Sequence, residues 1–201
     1  MADLVWARSE DMMPAMLPDE IACYTAHLCQ SRKVVEYGSG GSTVLALSFG
    51  VQLLSIESDA AWMNEKVRPI DTVQQAERDG RATFVHVDIG PTREWGQPVD
   101  DRSKHTWPNY PVAPWRHWDT ADLVLVDGRF RVACTLESIL RATPETRIVI
   151  HDFWNRTEYH AVLPFLDWQQ SVETLGVFRR RPEIDRRRVE DLLGDYRYRT
   201  N

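Results

Sequence analysis

A three-layer αβα sandwich with a mostly parallel, Rossmann-like central sheet is the fold class the sequence predicts, on three observations. Short apolar, β-branched runs alternate with segments of helical spacing along most of the 201 residues. A glycine-rich turn, Gly38-Ser39-Gly40-Gly41, falls between the first such strand and the helix after it. The acids Glu36, Glu57 and Asp88 stand at the ends of three successive strand candidates. A chain of this length is read as one domain, long enough to bury a large core.

The elements follow in order. Pro18, Asp19 and Glu20 suit a first helical turn, and Ile21, Tyr24 and Leu28 recur at helical spacing, so a lead-in helix is predicted within 18–32. Val34-Val35 is a β-branched run that stops at Gly38, and Val44–Phe49 is an apolar helix closed by Gly50. Leu53–Ile56 predicts the second strand, Asp59 to about Arg68 a helix, and Thr83–Val87 the third strand. Leu123–Val126 and Arg147–Ile150 predict strands four and five, with a helix over Val132–Arg141 between them. A helix over about Glu158–Trp168 and a late strand over Val172–Phe178 complete the pattern.

Residues 90–120 break this rhythm. They hold five of the 11 prolines and four of the eight tryptophans, with neither a helical nor a strand period. So long a connection is a functional lid or a disordered insert, and its aromatic content argues against disorder.

Composition narrows the function classes. With 43% apolar and 27% charged residues the chain has the balance of a soluble globular protein. A net charge of -6 gives no broad attraction to a polyanion, so nucleic acid is not an expected partner. The cluster Arg179–Arg181 with Arg186–Arg188 is interleaved with Glu183, Asp185, Glu190 and Asp191, and reads as a solvated face. Cys23, Cys29 and Cys134 lack metal-type spacing and cannot all pair, which fits free thiols in a reducing cytosol. The N-terminus has Asp3 early and no basic start before an apolar run, so no signal peptide is expected. No apolar stretch approaches the roughly 18 residues of a membrane helix. A cytoplasmic protein with no membrane partner is expected.

The glycine turn carries the first chemical signal. Glycines are required where a chain turns sharply and a ligand approaches the backbone closely, and in an open α/β sheet that turn lies at the carboxyl ends of the strands. A dinucleotide fingerprint would place glycine at position 43, where Thr43 stands. Glu36 would repel a pyrophosphate, yet it attracts a ligand bearing an ammonium group and a sulfonium. A nicotinamide-dependent oxidoreductase is therefore disfavoured on both counts.

The run Glu36-Tyr37-Gly38-Ser39-Gly40-Gly41-Ser42-Thr43 resembles motif I of class I S-adenosylmethionine-dependent methyltransferases, in particular small bacterial methyltransferase-like proteins. The family usually has glycine where this chain has Ser42. The resemblance spans residues 34–152 and implies a class I methyltransferase fold with S-adenosylmethionine as cofactor. It further implies a cofactor site made of Glu36, Gly38, Ser39, Gly40, Ser42, Glu57, Ser58, Asp88 and Asp127. In that family the acid at Glu57 holds the ribose and the acid at Asp88 meets the adenine amino group. Read from the residues alone, the lesser alternative for Glu57 is a helix-start carboxylate beside Asp59, and Asp88, shortly before Gly90, suits a turn. Trp62 reads as core packing.

Asp127, in Asp122-Leu123-Val124-Leu125-Val126-Asp127-Gly128, and His151-Asp152 after the fifth strand are the candidate catalytic groups. Asp127 and Asp152 are expected to converge over the transferred methyl, and His151 titrates nearest neutrality. If the strand stays regular, His151 points away from Asp152. Catechol-type methyltransferases add Asn directly after the second Asp as a metal ligand. Here that position is Phe153, so no metal is expected. The insert has three open readings: Trp95, Trp107, Tyr110, Trp115 and Trp118 wall a pocket for a small-molecule acceptor, pin a long loop to the sheet, or form a homodimer contact. Asp100, Asp101, Arg102, Lys104 and His105 read as solvated.

Methyl transfer to a small molecule is the leading functional expectation. A non-catalytic ligand-binding or interaction protein on the same fold is the alternative, and aminopropyl transfer is an outsider that shares the strand-end acids.

Overall fold

In the computed structural model, which describes residues 12–200, the five apolar runs are strands: Lys33–Tyr37 (β1), Gln52–Glu57 (β2), Ala82–His86 (β3), Leu123–Val126 (β4) and Arg147–Ile150 (β5). The segment with Asp3 lies outside the described residues. Leu166–Val172 (β6) and Leu175–Arg180 (β7) extend the sheet, whose order is β3-β2-β1-β4-β5-β7-β6. The first five pair in parallel, with Tyr37 beside both Ile56 and Val126, and β7 runs antiparallel to both β5 and β6. Every residue of β4 and β5 is buried, as expected of parallel strands covered on both faces.

Side-chain alternation assigns the two faces. Val34, Leu53, Leu123, Leu125 and Val149 meet Pro18–Leu28 (α1), Gly41–Ser48 (α2) and Asp71–Arg78 (α3), through residues such as Leu28, Leu45 and Val73. Val35, Tyr37, Leu54, Ile56, Val124 and Ile148 meet Arg131–Arg141 (α4) and Arg186–Tyr196 (α5), through Leu136, Ile139 and Val189 among others. Each fully buried aliphatic side chain contributes about 1.5–3 kcal/mol, so these two layers hold the sheet edge rigid.

Several elements differ from the sequence reading. The segment read as a helix over 158–168 is a run of tight turns, Thr157–Phe165, with Pro164 inside it, and Trp168 already belongs to β6. The late strand begins at Leu175, and Val172 ends the strand before it, so this region is a hairpin. α3 and α5 were not anticipated. Asp59–Arg68 forms a short helical turn, Ala60–Trp62, that widens into Met63–Val67.

The insert supplies part of the second layer. Trp107, Tyr110 and Trp115 are buried against the sheet with Phe130 of the α4 entrance. Their polar atoms are matched: the Trp107 indole donates to Ile89 O, the Tyr110 hydroxyl to Ile56 O, and the Trp115 indole to the Tyr37 hydroxyl. Most of the aromatic set therefore pins the loop, whereas Trp95, at the tip of a ribbon pairing Thr92–Arg93 with Gln97–Pro98, is 78% exposed. All three cysteines are free, and among the described residues no helix is long and apolar enough to cross a membrane.

Candidate functional site

The sheet order reverses between β1 and β4, and the loops leaving those strands meet face to face. A Cβ on Gly38, whose φ is +91°, would lie 2.7 Å from Gly128 Cα, so both positions need glycine for the loops to touch. Gly41 is packed differently, since a Cβ there would strike the backbone of Met13 and Pro14. At Gly40 a Cβ would meet nothing within 4 Å. The loop is thus closed on two sides and open on one, and Gly40 faces the opening.

Below that loop sits Glu36, fully buried, with hydroxyls on both oxygens: Ser42 at 2.6 Å, Thr43 at 2.6 Å and Ser55 at 2.7 Å. Ser42, which replaces the family's usual glycine, thereby ties the start of α2 to β1. Burial pushes the Glu36 carboxyl up to about 7 against these hydrogen bonds. Thr43 also accepts the Gly40 N–H at 2.8 Å, and Ser39 shares a hydrogen bond with Ser55.

Glu57 stands at the rim, 6% exposed. One oxygen accepts the Ser39 N–H at 2.9 Å; the other accepts the N–H groups of Ser58 and Asp59. Burial raises its pKa, opposed by those donors. Trp62 is not core: it is 39% exposed, and its indole donates to Ser39 O at 2.8 Å, clamping the glycine loop from outside. Asp88 is exposed at the end of β3 and accepts the Gly90 N–H, the turn role its sequence allows. Glu36, Glu57 and Asp88 do share one sheet edge, but Glu36 lies under the loop rather than in the opening.

The other half of the edge is built from ion pairs. Asp127 Oδ1 lies 2.9 Å from His151 Nδ1 and 3.0 Å from the Arg131 guanidinium, which also reaches Asp152 at 3.2 Å. His151 Nε2 is 3.3 Å from Glu20 of α1, whose other oxygen accepts the Thr174 N–H and hydroxyl. Asp152 is further paired with Arg156 at 2.9 Å. β5 ends at Ile150, and Asp152 adopts φ +57°, so strand alternation does not govern where His151 and Asp152 point. Asp127 and Asp152 do converge, but on Arg131. Burial disfavours charge on His151, yet Asp127 and Asp152 outweigh it and raise its pKa; the same surroundings lower that of Asp152 despite its burial. Glu20 is lowered too, its burial outweighed by bonds from Thr174 and Leu17 and by His151.

Sequence reasoning missed Glu20, Arg131 and Arg156 as members of this assembly. Glu20 read only as a first-turn acid, and nothing local signals a partner 131 positions away. Phe153, where the sequence comparison looked for a metal-ligating Asn, is fully buried against Trp154 and Phe178.

No family model matches the chain, and no curated protein does. Among solved structures it is similar to a methyltransferase-like protein from Silicibacter pomeroyi DSS-3, at 31% identity and a TM-score of 0.79 over 94% of this chain and 98% of that one. A caffeoyl-CoA O-methyltransferase-type protein from Staphylococcus aureus shares the fold at 8% identity and a TM-score of 0.57, covering 84% and 86% of the two chains. So does the C-terminal domain of precorrin-6Y C5,15-methyltransferase from Rhodobacter capsulatus, at 13% identity and 0.54, covering 87% and 96%. With its strand order, its glycine cradle and a near-full-length relative, the chain belongs to the class I S-adenosylmethionine-dependent methyltransferase superfamily.

Proposed function

We propose that the protein binds S-adenosylmethionine over the Gly38–Ser42 loop and methylates a small-molecule acceptor, working in the cytoplasm. The observation that carries this reading is the one-sided opening at Gly40, where a Cβ would meet nothing within 4 Å while Gly38 and Gly41 are walled by backbone. The residues present fit the cofactor. Gly38, Ser39, Gly40 and Ser42 would pass under it, Glu57 and Ser58 would take the ribose hydroxyls, Asp88 the adenine, and Asp127 the methionine end. Glu57 already accepts backbone donors on both oxygens, which fixes it for further hydrogen bonds of the stronger, charge-assisted kind.

When bound, this cofactor supplies an electrophilic methyl group on a positively charged sulfur. The protein's part is chiefly alignment, which can contribute about 7–11 kcal/mol for well-oriented partners. Asp127, His151 and Asp152 remain the candidates for moving the acceptor's proton, and a general base would add about 10²–10⁴-fold. Their engagement in ion pairs favours positioning over proton abstraction, and this same observation supports the second reading, a non-catalytic binder of the same cofactor.

Isothermal titration of the cofactor into wild type and Gly40→Val tests the reading. The variant should lose at least about a hundredfold in affinity and keep its thermal midpoint, because a Cβ at this position meets no protein atom within 4 Å. Equal affinity in the two proteins would place the site elsewhere. Donor turnover with mixed small acceptors then separates the enzyme from the binder.

A further inference from the structure

Arg129 is the one feature of the cleft that the reading above does not use. It stands two residues after Asp127 and directly before Phe130, the left-handed N-cap of α4. It is 8% exposed, and its Nε is buried with no hydrogen-bond partner. Among the described residues no carboxylate lies within ion-pair distance of its guanidinium. Arg131, two positions on, is the opposite case: its guanidinium donates to the carbonyls of Asp127, Gly128 and His151 and pairs with two acids.

Its place is fixed by its neighbours. A Cβ on Gly96, in the Trp95 ribbon, would stand 3.9 Å from Arg129 Cγ, 3.7 Å from Glu57 Oε1 and 2.9 Å from Ser58 Oγ. The stem of Arg129 therefore packs beside the ribbon, with Glu57 and Ser58 on one side and Asp127 two residues back along the chain. The α4 N-terminus beside it has no side-chain cap and no acid in its own first turn. Burying an ion without a partner is expensive, and folds ordinarily pair such groups. A guanidinium presents its donors as a planar fork that matches a carboxylate.

We propose that Arg129 is a carboxylate receptor of this cleft, docking the acid group of a ligand on its unpartnered edge. The proposal deepens the cofactor reading and rests on it for the identity of the cleft. A singly charged, planar anion suits the place better than a phosphate dianion, because Glu57 and Asp127 flank it. The acid has two possible sources: the amino-acid carboxylate of the methyl donor, or a carboxylate on the acceptor.

Titration separates them. S-adenosylhomocysteine and 5′-methylthioadenosine share the adenosine portion, but the second lacks the amino-acid group. If Arg129 holds the donor, Arg129→Met loses about tenfold to a hundredfold in affinity for the first and nothing for the second. If it holds the acceptor, both affinities survive, and the stabilisation of the 5′-methylthioadenosine-loaded wild type by formate, measured against chloride at equal ionic strength, disappears in Arg129→Met. A third reading guards against a purely structural role. Removing an unpaired buried charge should leave the unliganded variant with a thermal midpoint equal to or above wild type. Arg129→Lys, which keeps the charge but not the fork, should show the same losses in smaller measure should the Met variant fail to fold. Unchanged binding of both nucleosides together with an unchanged formate effect overturns the proposal. If wild type binds neither nucleoside, the cofactor reading falls instead, while the same formate-against-chloride comparison, made on unliganded wild type and Arg129→Met, still judges Arg129.

Discussion

The two halves of the sheet edge solve the burial of acids in opposite ways. On the β1–β2 side, Glu36 and Glu57 are met only by hydroxyls and backbone N–H groups, and their pKa values are pushed up. On the β4–β5 side, Asp127 and Asp152 are met by Arg131, Arg156 and His151, and the pKa of Asp152 is held down. Neutral donors cancel no charge, so burial raises both pKa values and leaves Glu36, at about 7, only partly ionised near neutrality; a cationic ligand would draw this half toward its ionised form. Cations cancel the charge, so the second half is a rigid clasp that joins α1, β4, β5 and α4. The difference teaches that an acid at a strand end is not by itself a ligand group; its partners decide.

The clasp should break most severely at Arg131, whose side chain is 5% exposed. Arg131→Met leaves two acids and three carbonyls without their donor, and should cost about 3–5 kcal/mol in urea denaturation. A loss below about 1 kcal/mol would mean that Asp127 and Asp152 are solvated by other means and that the clasp does not hold the edge.

The cradle should respond to pH instead. The Glu36 carboxyl rises from 4.5 to about 7 on folding, so between those values the folded state binds more protons and stability falls as pH rises. Integrated over the interval this is about 3 kcal/mol. Glu36→Gln removes the titration while keeping the shape, so relative to wild type it should gain stability across that window. A difference between the two proteins that stays flat from pH 4.5 to 8 would show that Ser42, Thr43 and Ser55 stabilise the ionised form fully.

How much of this the sequence carried follows from how local each signal is. β4 and β5 were legible to the residue, because Leu123–Val126 and the run Ile148–Ile150 behind Arg147 are short apolar runs, which have one reading in a covered parallel sheet. The glycine cradle was legible for the same reason, since Gly38 and Glu36 are set by the turn itself. The β6–β7 hairpin was not: Tyr159, Val162, Phe165 and Leu166 recur at helical spacing, whereas the edge strand buries chiefly its first residue. α3 escaped because it buries only Val73 and Ala76, and α5 because its arginines read as surface charge. The clasp was invisible in principle, as Glu20, His151 and Thr174 meet only after the sheet has assembled.

The smallest expected effect lies in the clasp's titrating member. His151 has carboxylates at both ring nitrogens, and its folded pKa is raised above 6.5. The stability that its charge contributes is therefore fully present below 6.5 and is lost as pH climbs through the raised value. Glu20 and Asp152, lowered on folding, act in the opposite direction and lose their contribution only in acid, below the ordinary carboxylate range. His151→Gln should accordingly be destabilised at pH 6 and approach wild type by pH 9, a drift on the order of 1 kcal/mol. The Glu36 slope ends near 7, so Glu36→Gln and the double variant isolate the histidine window above it. If His151→Gln tracked wild type at constant distance through that window, the ring would be neutral in the fold. It would then hold one proton between two acids and be free to exchange it, which would return His151 to the place of a catalytic base.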